Sequence, residues 1–357
     1  MKQGLIRSST IYFGTNILNA SIPLLVLPIL TRVLTPADYG LIGMFGLVAS
    51  ILSSFTGLNV QSALAVRYFI LNPQRLSEYV FVCFFVILIS TLVVLVCIAL
   101  TGHFLEPITQ LTLPWLLLAA LMSAAQISVQ IRLILWQMQG KPYHYGVMQI
   151  TQAVMNAGIS LYLVVILSKA WEGRLVGQII PPILLAMVGL ASLFKRQQII
   201  IPKSIKPDTV DVLKFSLPLI PHSLGAVLLS TIDRIMITNL LDVSQAGIYF
   251  IAVQISLAIS FITGAFSNAY SPWLMAKLSK PDTLNKRKIV QGNYIYYIAL
   301  LLLALVIHYS STWLFMVVGE GFRSASSLII YLVLGEAFVG MYLTQSVYFL
   351  YSNKTIY

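Results

Sequence analysis

The chain has 357 residues, 58% of them hydrophobic and 9% charged, whereas soluble globular chains are about a quarter charged. Polar residues this scarce, at a mean hydropathy of +0.88, cannot cover a water-facing surface, so the composition describes a polytopic membrane protein and excludes cytosolic enzymes, nucleic-acid binders and secreted disulfide scaffolds. The formal net charge of +11 then reads as an asymmetry of loops rather than a nucleic-acid footprint.

Windows of about 20 mainly apolar residues predict an all-α chain of about ten transmembrane helices. The first, 9–31, follows the basic start MKQGLIRSST. It is too long for a signal h-region and no small-residue cleavage site ends it, so it reads as an uncleaved span. The others run over 40–65, 79–101, 113–136, 145–167, 175–194, 212–235, 247–271, 291–316 and 325–350. Cys83 and Cys97 share the third span, where a helix would separate them by about 21 Å, too far for a disulfide. The longest connection, Lys195–Asp211, is basic and proline-dotted, and no loop is large enough for a soluble catalytic domain.

Alternating the spans places 17 of the 22 Lys and Arg on the side of the N-terminus and 5 (Arg32, Lys169, Arg174, Arg234 and Arg323) on the other. By the positive-inside bias both termini are expected in the cytoplasm. A shift of 207 residues sets Leu34–Leu41 (LTPADYGL) against Leu241–Ile248 (LDVSQAGI), and Ser53, Thr56 and Gly57 against Ser260, Thr263 and Gly264. Both segments join the first and second spans of a half, on one side of the membrane. A six-span offset preserves orientation, which predicts parallel repeats about an axis along the membrane normal. The expected organisation is a six-helix lobe over 1–205 and a second lobe over 206–357 that holds four of six helices. The chain therefore reads as a truncated frame or fragment, with a natural ten-span protein as the alternative.

The opening SSTIYFGTNILNASIPLLVLPILTRVLTPADYGLIGMF, the mid-chain Asp233–Ile237 (DRIMI) and the late YFLYSNKT resemble the oligosaccharide (O-antigen repeat-unit) flippases of bacterial surface-polysaccharide assembly. These belong to a superfamily that also holds multidrug exporters. The resemblance implies that undecaprenyl-pyrophosphate-linked oligosaccharide crosses the inner membrane by alternating access between two lobes. It implies no cofactor and no bond chemistry. The implied partners are the lipid-linked sugar, the bilayer and other polysaccharide-assembly membrane proteins, without nucleic acid. A pyrophosphate and several sugars would otherwise shed water in hydrocarbon at several kcal/mol for each unpaired polar group, roughly.

A cavity for such a headgroup is expected to carry guanidinium forks and amides. The substrate candidates are Arg32, Arg67, Arg132 and Arg234, with Asn16, Asn19, Gln130 and Gln152. For Arg67 and Arg132, anchoring at a membrane interface is the competing reading. Asn16 and Asn19, and Gln149, Gln152 and Asn156, have helix-face spacing, which suits either a polar lining or interhelical hydrogen bonds; Asn59, Gln61, Gln254 and Asn268 are further intramembrane amides. Glu336, the one acid well inside a predicted span, is the candidate for carrying a coupling ion, with a protonated or paired glutamate bracing helices as the competing reading; Asp233 is a second ion-coupling candidate, and for it and Arg234 a structural salt link to another helix competes. His222 and His308 are weaker candidates of that kind. A multidrug or metabolite exporter of the same fold is the competing function, and a membrane glycosyltransferase or polymerase a more distant one. A cationic drug would favour an acidic cavity, whereas the spans offer one acid and several arginines; such an enzyme would need a large extracytoplasmic loop or an acidic pair, whereas the periplasmic loops are short and carry only scattered acids.

Overall fold

The protein is described by a computed structural model covering residues 2–278 and 283–351. Asn268 and most of the YFLYSNKT element lie outside the described side chains. Every described regular element is helical: α1 (Lys2–Val33), α2 (Pro36–Thr56), α3 (Val60–Arg67), α4 (Pro73–Thr109), α5 (Leu113–Met138), α6 (Pro142–Leu161), α7 (Ala170–Lys195), α8 (Lys206–Ser216), α9 (Leu219–Leu240), α10 (Val243–Leu278), α11 (Thr283–Val317) and α12 (Ser326–Tyr351). A π-helical turn, Tyr162–Ile166, extends α6, and a 3₁₀ turn, Glu320–Ala325, precedes α12.

Among the described residues ten helical segments are long and apolar enough to cross a membrane, one for each predicted span. Two predicted spans differ in detail. The second, expected over 40–65, ends at Thr56; Leu58 and Asn59 take positive φ (44° and 56°), and the short α3 follows. Asparagine tolerates that left-handed conformation. Hydropathy missed the break because α3 is itself apolar, burying Val60, Ala63 and Leu64. The seventh, expected over 212–235, divides into α8 and a spanning α9 at Leu217–Pro218. Pro218 has no N–H to continue the helical ladder.

The helix starts follow from local chemistry. At α2, Thr35 Oγ1 accepts from the Asp38 amide (3.2 Å), and Asp38 Oδ2 accepts from the Thr35 amide (2.8 Å). This reciprocal cap, with Pro36 at the first turn, satisfies donors the helix cannot. Asn72 caps α4 through the Arg75 amide at 2.9 Å. At α10, Asp242 Oδ1 accepts from the Gln245 amide at 2.8 Å. Asp242 is the 207-residue equivalent of Thr35, and Gln245 that of Asp38.

The chain forms two compact units. The first comprises 1–26 and 33–247, the second 27–32 and 248–357. In the first, Val60, Leu64, Tyr79, Cys83, Ile131, Leu193 and Val212 form a buried core shared by α3, α4, α5, α7 and α8. One crossing here is reciprocal. A Cβ on Gly40 would lie 2.0 Å from the Val243 carbonyl oxygen, and a Cβ on Gly247 would lie 1.9 Å from the Pro36 carbonyl oxygen. Gly247 and Val243 lie 207 residues after Gly40 and Pro36, so the two segments press their glycines onto corresponding positions of each other. Small residues let membrane helices approach in this way.

In the second unit, the last turns of α1 meet the end of α11. The Gly319 amide donates to Thr31 Oγ1 (3.2 Å), and Arg32 Nε donates to the Val317 carbonyl (3.1 Å). Phe266 stacks on Tyr296 with centroids 3.8 Å apart, and Tyr270 donates to Asn293, which donates to Tyr348.

Candidate functional site

The site is built on the contact of α6 with α7. Gly173 and Gly177, four residues apart, form a GxxxG pattern that brings the two helices close. A Cβ on Gly177 would stand 2.8 Å from the Ser160 backbone nitrogen, and one on Gly173 2.9 Å from Leu163 Cβ. That approach holds Arg174 against α6, where Nη1 donates to Asn156 Oδ1 (2.5 Å) and Ser160 Oγ (2.7 Å). Farther along α6, Gln152 Nε2 donates to Gln126 Oε1 of α5 at 2.6 Å, and Gln149 Nε2 donates to Tyr145 Oη at 3.0 Å.

Arg174, Asn156, Gln152, Gln149 and Gln126 line a cavity of about 260 Å³ between α1, α5, α6 and α7, together with Asn19, Gln130, Ile22, Pro23, Val26 and Leu133. The cavity lies near mid-span on α5 and α6. Six amide side chains and one guanidinium supply its polarity, and its lining holds no carboxylate. Two acceptors there are short of donors. Pro23 cannot give an N–H to the Asn19 carbonyl four residues back, and Gln149 Oε1 is buried without a hydrogen-bond partner. An amide offers two donors and a carbonyl, so the wall suits a ligand dense in hydroxyl groups. Arg174 adds the charge for an anion.

Three of the residues expected from sequence, Asn19, Gln130 and Gln152, meet in this cavity. The others lie elsewhere. Asn16 is exposed one turn away on α1. Arg67 forms a forked pair with Asp211 of α8, Nε to Oδ2 at 2.9 Å and Nη2 to Oδ1 at 2.5 Å, and Tyr79 donates to the same carboxylate at 3.0 Å. The Arg67 hydrogen bonds hold the Asp211 carboxyl below its ordinary range, and the carboxylate in turn raises Arg67. Arg132 is buried, donating to Gln198 (2.7 Å) and Ser192 (2.9 Å) with its guanidinium 4.4 Å from the Trp136 ring centroid. Arg32 reaches the Val317 carbonyl. Asp233 accepts from the Arg234 amide at 2.8 Å on α9. In the second unit Glu336 accepts from Ser260 Oγ; His308 is half-buried and His222 exposed.

Arg174 was not expected, because hydropathy begins its span at 175 and leaves it in a loop. The flanking Gly173 and Gly177 were the available signal: two small residues spaced for helix contact extend the helix back past the arginine. Among the described residues no group of three or more His, Cys, Asp or Glu is placed to hold a metal ion.

The sequence profile of the polysaccharide biosynthesis protein family matches residues 5–278. The chain belongs to that family. A Haemophilus influenzae relative described as an "Uncharacterized membrane protein" is 22% identical over 98% of this chain and 85% of its own. Among solved structures, an inward-facing multidrug resistance MATE family transporter of the MOP superfamily superposes with a TM-score of 0.67 at 12% identity, covering 93% of this chain and 83% of its own. A MATE structure in the straight conformation gives 0.61 at 14% identity, covering 96% and 82%. The protein is therefore a multi-pass, all-helical membrane protein of the polysaccharide biosynthesis family with a MATE-like fold.

Proposed function

We propose that this protein moves an undecaprenyl-pyrophosphate-linked oligosaccharide across the bacterial inner membrane by alternating access, with both termini in the cytoplasm. The observation that carries this reading is the mid-span cavity of Asn19, Gln126, Gln130, Gln149, Gln152, Asn156 and Arg174, which has no carboxylate in its lining. Amides match sugar hydroxyls in both donor and acceptor character. A guanidinium fork matches a phosphate better than an ammonium point charge does. Family membership places the chain in polysaccharide biosynthesis, and a fold shared with transporters suits translocation.

In this reading the repeat-related halves 1–205 and 206–357 rock against each other. The sugar headgroup is held by wet, polar helix faces while its lipid tail stays in the bilayer. Glu336, inside α12 and hydrogen-bonded to Ser260, is the proposed carrier of a coupling proton. A second reading, export of a small metabolite, is favoured by the likeness to multidrug transporters, but a cationic cargo would find no carboxylate in this cavity.

The test is deletion of the gene in its native host, in a background without a second flippase. Lipid-linked sugar is then measured on each leaflet while the strain is complemented with the wild-type chain, Arg174→Gln or Gln152→Leu. Accumulation on the cytoplasmic leaflet, relieved by wild type and not by Arg174→Gln, is the expected result. No accumulation on deletion would overturn the flippase reading and favour the exporter.

A further inference from the structure

Two other cavities flank Arg132 where α5 and α7 end and α4 and α6 begin. One, of about 320 Å³, is an apolar groove whose walls include Trp136, Tyr143, Val147, Leu185 and Val188. The other, of about 410 Å³, has a mixed wall, with Gln139, Arg196 and Gln198 beside apolar residues such as Leu71, Leu76 and Val80. Arg132 joins them. Its Nη2 donates to Ser192, a wall of the groove, and its Nη1 to Gln198, a wall of the second cavity.

The Arg132 side chain is an unresolved charge. Its relative exposure is 0%, its Nε has no hydrogen-bond partner, and none of the ion pairs among the described residues includes it. The charged neighbour it feels is another cation, Arg196. The face of Trp136 offsets part of the desolvation, but a buried cation without a counter-ion remains expensive. Gln139 Oε1, in the second cavity, is a buried acceptor without a donor. An anion with hydroxyl groups and a hydrocarbon chain would meet all three needs at once.

We propose that this place binds an acidic phospholipid of the bilayer. Its phosphate sits against Arg196 in the wall of the second cavity and offsets the charge of Arg132 buried behind that wall, a headgroup hydroxyl faces Gln139, and one acyl chain lies in the groove beside Trp136 and Val188. The setting fits that occupant. Trp136 and Tyr143 stand at helix ends, where amphipathic rings mark the membrane interface. Basic pockets between spanning helices on the lysine-rich side capture acidic lipid headgroups. A free phosphate would leave the apolar groove unfilled, and a neutral zwitterionic lipid would leave the pair of arginines uncompensated. The site is separate from the amide-lined cavity and does not depend on the substrate carried there.

The test uses the purified full chain in detergent, titrated with phosphatidylglycerol, with phosphatidylcholine of the same acyl chains, or with inorganic phosphate. Melting temperature and lipid adducts in native mass spectra are read. Phosphatidylglycerol is expected to raise the melting temperature and stay bound, and phosphatidylcholine to do neither. Arg196→Gln and Arg132→Gln each weaken the acidic lipid roughly fivefold to tenfold, the worth of one arginine near a phosphate surface. Val188→Trp fills the groove and weakens it comparably. If Arg132→Gln does not fold, Arg196→Gln and Val188→Trp decide the matter. Equal effects of the two lipids would overturn the proposal, as would an acidic-lipid preference untouched by Arg196→Gln and Val188→Trp. Stabilisation by inorganic phosphate alone that Val188→Trp leaves unchanged would reduce the site to a simple anion site and overturn the lipid assignment.

Discussion

Replacing Gly40 by alanine puts a methyl carbon 2.0 Å from the Val243 carbonyl oxygen, whereas real Cβ atoms keep at least 3.0 Å from such an atom. The oxygen belongs to the backbone of α10 and cannot swing aside, so the two helices must part by about 1 Å. Overpacking of this kind costs about 1–3 kcal/mol, partly offset by the ~1 kcal/mol by which alanine outranks glycine inside a helix. A clash with backbone that cannot swing aside takes the upper part of that range, and the net loss of about 1–2 kcal/mol predicts a fall in melting temperature of roughly 2–8 °C for the purified protein. Gly247→Ala meets the Pro36 carbonyl at 1.9 Å and is expected to cost the same. Because one separation relieves both clashes, the double variant is expected to cost less than the sum of the singles, by about 0.5–3 kcal/mol of coupling. Gly46→Ala, on the same helix with nothing within 4 Å of its added carbon, is the control and should leave the protein as stable or more so. Gly40→Ala melting at or above the wild-type temperature, or a double variant that is strictly additive, would refute the reciprocal crossing.

The forked Arg67–Asp211 pair holds the Asp211 carboxyl below its ordinary range, so its stabilisation is present above that range and lost as pH falls through the lowered value. Both side chains are about a third exposed (29% and 36%), which limits the pair to under about 1 kcal/mol. Asp211→Asn is expected to melt a degree or two below wild type at pH 7, with the gap narrowing as pH falls below about 4; a gap as wide in acid as at pH 7 would show that it has another source. Gln149→Leu removes a buried acceptor without a donor, an orphan worth about 1–3 kcal/mol of destabilisation. The variant is expected to melt higher and to transfer less lipid-linked sugar between leaflets, and one that melts lower would deny the orphan. Glu336→Gln is expected to make transfer in reconstituted vesicles indifferent to an imposed pH gradient; unchanged dependence on the gradient would remove Glu336 as the proton carrier.

Much of the architecture is written in hydropathy, because a span must be apolar along its whole length and a loop need not be. Where that contrast weakens, the sequence is silent: α3 (VQSALAVR) is less apolar than the helix it follows but keeps five apolar residues of eight, enough to carry an apolar window past the turn at Leu58 and Asn59. The site was legible in the same partial way. Gln149, Gln152 and Asn156 share a helix face by spacing alone, and that face lines the cavity. Asn16 and Asn19 have the same kind of spacing, yet only Asn19 lines the cavity, since three residues along a helix also turn by about 60°. The arginines were harder to read, because a guanidinium on a long stem serves equally as anchor, helix brace or ligand. What separates Arg67, Arg132 and Arg174 is the partner each meets: a carboxylate, a pair of neutral acceptors beside an aromatic ring, and an amide facing a cavity. Those partners lie 144, 66 and 18 residues away. Only the last lies on the adjacent helix, where the GxxxG pattern of α7 joins it to α6, and there alone could local sequence have pointed to the pairing.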